Sequence, residues 1–161
     1  MDVVAWTIAT AAASLAAIVD VRSRRIPNWL TGSLVLGGLL FNVWRGGIVG
    51  VGLALAGAAL GLAILLPFYA VRAIGAGDVK LLAGLGAVLG PQMLVSVAVY
   101  AALAGGVISA IMLARGGRLL SVVREMLIEH RPPTRGGRTA PYGVAIASGM
   151  YLSLVLPAVL G

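Results

Sequence analysis

What most constrains this chain is a succession of apolar runs, each near the thickness of a bilayer and each ended by a turn or by basic residues. The first covers residues 3–19 and, at ~1.5 Å per residue, just about spans a ~30 Å hydrocarbon core. Others cover residues 29–43, 48–70, 92–114 and 141–160. A shorter stretch from Val79 breaks at Gly90-Pro91 and is only ~18 Å long as a helix, which predicts a short fourth helix beside a normal fifth. No polar stretch is long enough for a second domain, so residues 1–161 read as one all-α, polytopic membrane domain of about six transmembrane helices.

The boundaries carry their own chemistry. Met1-Asp2-Val3-Val4 lacks the positive start of a secretory signal, and arginines follow the first run instead, which predicts a retained helix. Pro27 suits a first helical turn and Asn28 a cap. Trp29 and Trp44 fit the two interfacial aromatic belts, and Arg45-Gly46-Gly47 reads as a tight turn. Ser33 with Gly37, and Gly57 with Gly61, offer small faces on which helices pack closely. Residues 118–129 carry apolar side chains at helical spacing among Arg118, Arg124, Glu125 and Glu129, which predicts a short amphipathic helix on the membrane surface.

Charge sets the orientation. With the N-terminus outside, eleven of the 12 basic residues fall in inner loops and only Arg45 in an outer one. The net charge of +7 therefore reads as membrane topology and attraction to anionic lipid rather than nucleic-acid binding. With no cysteine and one histidine, His130, the chain offers no disulfide, thiolate zinc site or thiol nucleophile, and neither a histidine-based metal site nor a Ser-His-Asp triad. Nothing in it asks for a metal or a cofactor.

Five carboxylates remain: Asp2, Asp20, Asp78, Glu125 and Glu129. Asp20 and Asp78 each edge an apolar run, and the eleven-to-one orientation puts both on the inner side. Ionised groups are costly there, which marks the pair as functional. The bland alternatives are a salt bridge from Asp20 to Arg22, Arg24 or Arg25 and an N-cap role for Asp78. Two carboxylates a few ångströms apart share one proton, so one takes a proton from water while the other polarises a scissile carbonyl. Gly75 and Gly77 leave room for a substrate backbone, or simply flex; Lys80 balances charge at the site, or snorkels to the interface. A transporter or channel that binds a cation or proton on the same aspartates is the main competing reading, and an inactive scaffold a third.

Gly75-Ala76-Gly77-Asp78 with Lys80 resembles the GxGD signature of intramembrane aspartyl proteases. The presenilin-like branch pairs it with Tyr-Asp, whereas this chain has Val19-Asp20. Asp20 with Arg25-Ile26-Pro27-Asn28 instead resembles the first aspartate region of bacterial type IV prepilin leader peptidases, and Pro141-Tyr142-Gly143 resembles the start of that family's last helix. The resemblance implies catalytic roles for Asp20 and Asp78, and site-shaping or substrate-binding roles for Pro27, Asn28, Gly75, Gly77, Lys80 and Pro141. It implies a multi-pass enzyme of the bacterial inner membrane that cuts basic leaders from prepilins or pilin-like proteins at the cytoplasmic face. Larger members carry a paired-cysteine segment and methylate the new N-terminus. This chain has no cysteine and no insert between its first two helices, which favours the small, peptidase-only type of Flp pilus systems.

Overall fold

The structure, a computed structural model, describes residues 2–71, 73–117, 142–156 and 159. Their regular elements are helices: α1 (Val3–Ser23), α2 (Asn28–Ala70), α3 (Ala76–Arg115) and α4 (Tyr142–Val155). The first three are long and apolar enough to cross a membrane. The surface helix expected over residues 118–129, together with His130 and Pro141, lies outside the described residues.

A straight helix of 43 or 40 residues, the lengths of α2 and α3, would run ~60–65 Å, twice the apolar thickness of a bilayer. Each is broken by one glycine in a backbone conformation closed to other residues: Gly47 at φ 53°, ψ −135° and Gly90 at φ 78°, ψ 173°. Both fall where turn residues cluster in the sequence, at Arg45-Gly46-Gly47 and at Gly90-Pro91. The short helix expected before Pro91 is present, beginning at Ala76 rather than Val79 because the glycine-rich approach already adopts helical geometry.

Contacts give the direction of each segment. Along residues 28–46 the partners on α3 rise, from Lys80 opposite Asn28 to Ala87 and Val88 opposite Asn42. Beyond Gly47 they fall again, from Gly86 opposite Gly57 to Leu82 and Ala83 opposite Gly61. The chain thus reverses at Gly47. It reverses again at Gly90, across which Leu94 packs back on Gly86. α4 then runs against the second half of α3, with Gly105 beside Tyr142 and Ala145, and Gly149 beside Val97 and Ala101. α1 runs antiparallel to α4, since Ser14 Oγ and Tyr151 Oη share a 2.8 Å hydrogen bond while Asp20 meets Gly143. The start of α1 joins the Gly47 turn through an ion pair of Asp2 with Arg45, whose guanidinium also lies over the Phe41 ring. One end of the bundle therefore holds Asp2 and Arg45; the other gathers the last turn of α1 and the first turns of α2, α3 and α4.

Small residues permit this packing. Any Cβ added at Gly57 or Gly61 would run into the backbone of α3, so the small face expected there is a helix contact. α1 buries Ala5, Ala9, Ala13, Ala16 and Asp20, one stripe at helical spacing whose last member is the carboxylate. The first half of α3 is the hub: Leu81, Leu82 and Leu85 are fully enclosed, joined by Leu94 and Val97 from its second half and Ile146 and Met150 from α4. Asp78 is buried because it sits on the first turn of that hub.

Candidate active site

Asp20 reaches the site because α1 outlasts its apolar run by a turn. Arg24 adopts the left-handed conformation at φ 51°, closing the helix with its N–H on the Asp20 carbonyl. This holds the Asp20 side chain on the buried stripe, at 8% exposure. Its Oδ2 accepts a 3.0 Å hydrogen bond from the backbone N–H of Gly143 at the start of α4. That amide is one of the donors a helix start leaves unpaired. Among the described residues Asp20 forms no ion pair with Arg22, Arg24 or Arg25, all of which are exposed. The salt-bridge reading of Asp20 is thereby set aside.

Asp78 is equally buried, at 8% exposure. It is not the N-cap; Gly75 is, and Asp78 stands in the first turn. Its Oδ2 reaches back to accept the Gly75 N–H at 3.1 Å. Its Oδ1 is buried and, among the described residues, has no hydrogen-bond partner. Leaving such an acceptor unpaired costs ~1–3 kcal/mol, an expense typical of sites that await a ligand or water. Asp20 lies within electrostatic reach of this carboxylate, and Asp78 within reach of the half-buried Tyr142 phenol.

The loop between α1 and α2 locks to the start of α3 at two points. Ile26 occupies the space beside Gly77: a Cβ there would stand 2.9 Å from the Ile26 Cβ. The room Gly77 provides is thus filled by this chain's own isoleucine rather than left to a substrate. Lys80 Nζ donates to Asn28 Oδ1 at 2.9 Å, so its charge tethers α3 to α2. Pro27 takes the N-cap position of α2 in extended geometry and Asn28 is the first helical residue, the reverse of the expected order, and Pro27 offers no side-chain acceptor to the cap. Gly75 is exposed beside Asp78, and a Cβ on it would meet the Asp78 Oδ2 at 3.3 Å and the Gly77 nitrogen at 4.0 Å. Among the described residues no three acidic or histidine side chains cluster as metal ligands.

The Gly143 amide escaped the sequence reading as a site group, although Pro141-Tyr142-Gly143 was recognised as a helix start, where such donors reside. Arranged in this way, two buried carboxylates at one end of the bundle, each held by a backbone amide through its Oδ2, are equipped for proton transfer to and from a bound water.

Residues 7–110 match the family model for the type IV leader peptidase family, a segment that includes both aspartates. The chain is also similar to the prepilin leader peptidase/N-methyltransferase of Pectobacterium carotovorum subsp. carotovorum, 41% identical over 101 residues, covering 58% of this chain and 36% of that protein. The enzyme of the same description from Aeromonas hydrophila is 40% identical over 94 residues, covering 54% of this chain and 32% of that protein. That from Dickeya chrysanthemi is 41% identical over 96 residues, covering 55% and 34%. The matched segment spans about a third of the length of these relatives. No solved structure matches the chain. The match extends over more than half of the chain, through the first aspartate, the Ile26-Pro27-Asn28 loop and the GxGD turn, and this protein belongs to the type IV leader peptidase family.

Proposed function

We propose that this protein is a membrane aspartic endopeptidase that removes the basic leader from prepilins or pilin-like proteins, with Asp20 and Asp78 as the catalytic pair. The observation that carries the reading is the burial of the two carboxylates together at one end of the bundle, Asp78 with an unpaired oxygen. In the proposed reaction one aspartate is ionised and the other protonated. The ionised carboxylate takes a proton from water as the water oxygen bonds to the scissile carbonyl carbon. The protonated one gives its proton to the carbonyl oxygen, forming a tetrahedral diol. As the diol collapses and the C–N bond breaks, the newly protonated aspartate gives its proton to the departing nitrogen and a diol hydroxyl passes its proton to the other aspartate. The leader leaves with a new carboxylate, the pilin with a new amine, and the pair returns to one shared proton.

The segments 28–46, 48–70, 76–89 and 91–115, with α1 and α4, supply six spans in this reading. In this reading the Asp2–Arg45 end lies outside and the aspartates at the cytoplasmic face of the bacterial inner membrane, an orientation supported by the distribution of basic residues. Anionic lipid gathers at that face, and the leader arrives from the cytoplasm. The relatives are described as N-methyltransferases as well. The absence of cysteine and the four-residue connection Arg24-Arg25-Ile26-Pro27 between α1 and α2 favour peptidase activity alone for this chain, as in Flp pilus systems. Co-expression with a candidate prepilin, reading loss of the leader by mass, tests the assignment. Asp20→Asn and Asp78→Asn should each leave the precursor intact in protein that still inserts; mature pilin from either variant would refute it.

A further inference from the structure

The first half of α3 ends in an unusual way. A helix leaves its last carbonyls unpaired, and in an apolar surrounding each must find another donor. In an unbroken helix the N–H of residue 91 would bond the Ala87 carbonyl, but residue 91 is proline and has none. The turn at Gly90 likewise takes the chain away from the Val88 carbonyl. Asn42 stands opposite both. Its side-chain amide nitrogen is 2.9 Å from Ala87 O, 3.3 Å from Val88 O and 2.9 Å from Gly38 O on its own helix. With two hydrogens for three acceptors, Asn42 replaces at Ala87 O the donor that Pro91 lacks, bonds Gly38 O equally closely, and shares with Val88 O only at 3.3 Å. It does so from residues 28–46, the segment whose other end holds Asn28 against Lys80 and follows Ile26, which abuts Gly77.

We propose that Asn42 is a positioning residue for the peptidase reaction. It fixes the height of residues 76–89 against residues 28–46, and hence the position of Asp78 against the Asp20 end of the bundle. This rests on the proposed role of the aspartates. Between the Asn42 and Asn28 contacts the two segments run parallel, with Gly38 against the backbone of Ala87 and Val88 and Gly84 against Leu34. Packing of this kind holds the two segments together and limits sliding, but it lacks the directionality that fixes a register to a fraction of an ångström. Directional bonds at the far end resist sliding, so the site loses its register when they are lost.

The test uses full-length protein in liposomes and a prepilin-like reporter, a short basic leader ending in glycine joined to an apolar helix. Asn42→Leu should lower kcat by about tenfold to a hundredfold, the range expected when a reacting group is displaced by ~1 Å from a distance, with KM for the reporter unchanged. Pro91→Ala restores an N–H at residue 91, and in the double variant it should recover most of the lost kcat. Unchanged kcat in Asn42→Leu overturns the proposal, as does an equal loss with and without Pro91→Ala, or a loss expressed in KM. The aspartate variants, run in parallel, separate the two ideas. If Asp20→Asn or Asp78→Asn still cleaves, the proposed function itself fails. If both are inactive while Asn42→Leu is unimpaired, only the positioning role fails.

Discussion

Gly77→Ala is the smallest change that should disable the site without touching a carboxylate. The added Cβ would lie 2.9 Å from the Ile26 Cβ, 3.4 Å from its backbone nitrogen and 3.5 Å from its Cγ1. Carbon atoms settle at ~3.5–4.0 Å, so the first turn of α3 must retreat from the loop by ~0.6–1.1 Å. The crowded atom is the root of a buried β-branched side chain, so no rotamer change relieves it. The retreat shifts Asp78, the next residue, relative to Asp20. A displacement of ~1 Å at a reacting group costs up to ~100-fold in rate, or ~2.7 kcal/mol of barrier. The assay is leader removal by purified protein in liposomes, followed by mass, with insertion and melting compared with the parent. Gly52→Ala is the control, since a Cβ at Gly52 meets nothing within 4 Å. Gly77→Ala with parental activity would show that the Ile26 contact does not set the position of Asp78.

Further outcomes follow from the same geometry. Gly143→Ala puts a Cβ 3.0 Å from both the Cβ and the Oδ2 of Asp20, tighter than ordinary contact, and should cut kcat by about tenfold or more; unaltered kinetics would detach the α4 amide from catalysis. Lys80→Met removes the exposed tether to Asn28 and, at the ~0.5–1.5 kcal/mol of a net hydrogen bond, should slow cleavage by no more than about tenfold; complete inactivity would give Lys80 a larger part than tethering. Asp2→Ala removes a side chain that accepts from the Val4 N–H and pairs with Arg45 at the far end of the bundle, so it should lower stability by ~0.5–2 kcal/mol in a melting assay and leave cleavage unchanged.

Much of this was legible from residue order alone. The glycine breaks at Gly47 and Gly90 stood in the sequence as Arg-Gly-Gly and Gly-Pro, and the small faces at Gly57 and Gly61 met the neighbour their spacing implied. The rarity of carboxylates at run edges singled out Asp20 and Asp78, and both are buried. What escaped was long-range partnership. Nothing local says that the space beside Gly77 belongs to Ile26, that Asn42 feeds the carbonyls before Pro91, or that Asp20 takes the Gly143 amide, because each joins separate helices. Asp2, given no role from the sequence, is both the cap of α1 and the partner of Arg45. The bland alternative for Asp78, an N-cap, is not what the helix uses: Gly75 takes that position and Asp78 accepts the Gly75 N–H from within the first turn.

The central claim is that Asp20 and Asp78 work as one unit. Its most direct test is the reporter-cleavage rate of Asp20→Asn, Asp78→Asn and the double variant, measured on equal amounts of inserted protein. Groups acting together lose their effect together, so all three should fall to the same floor. Measurable turnover in either single variant, or a double variant slower than both by the product of their separate losses, would contradict the account.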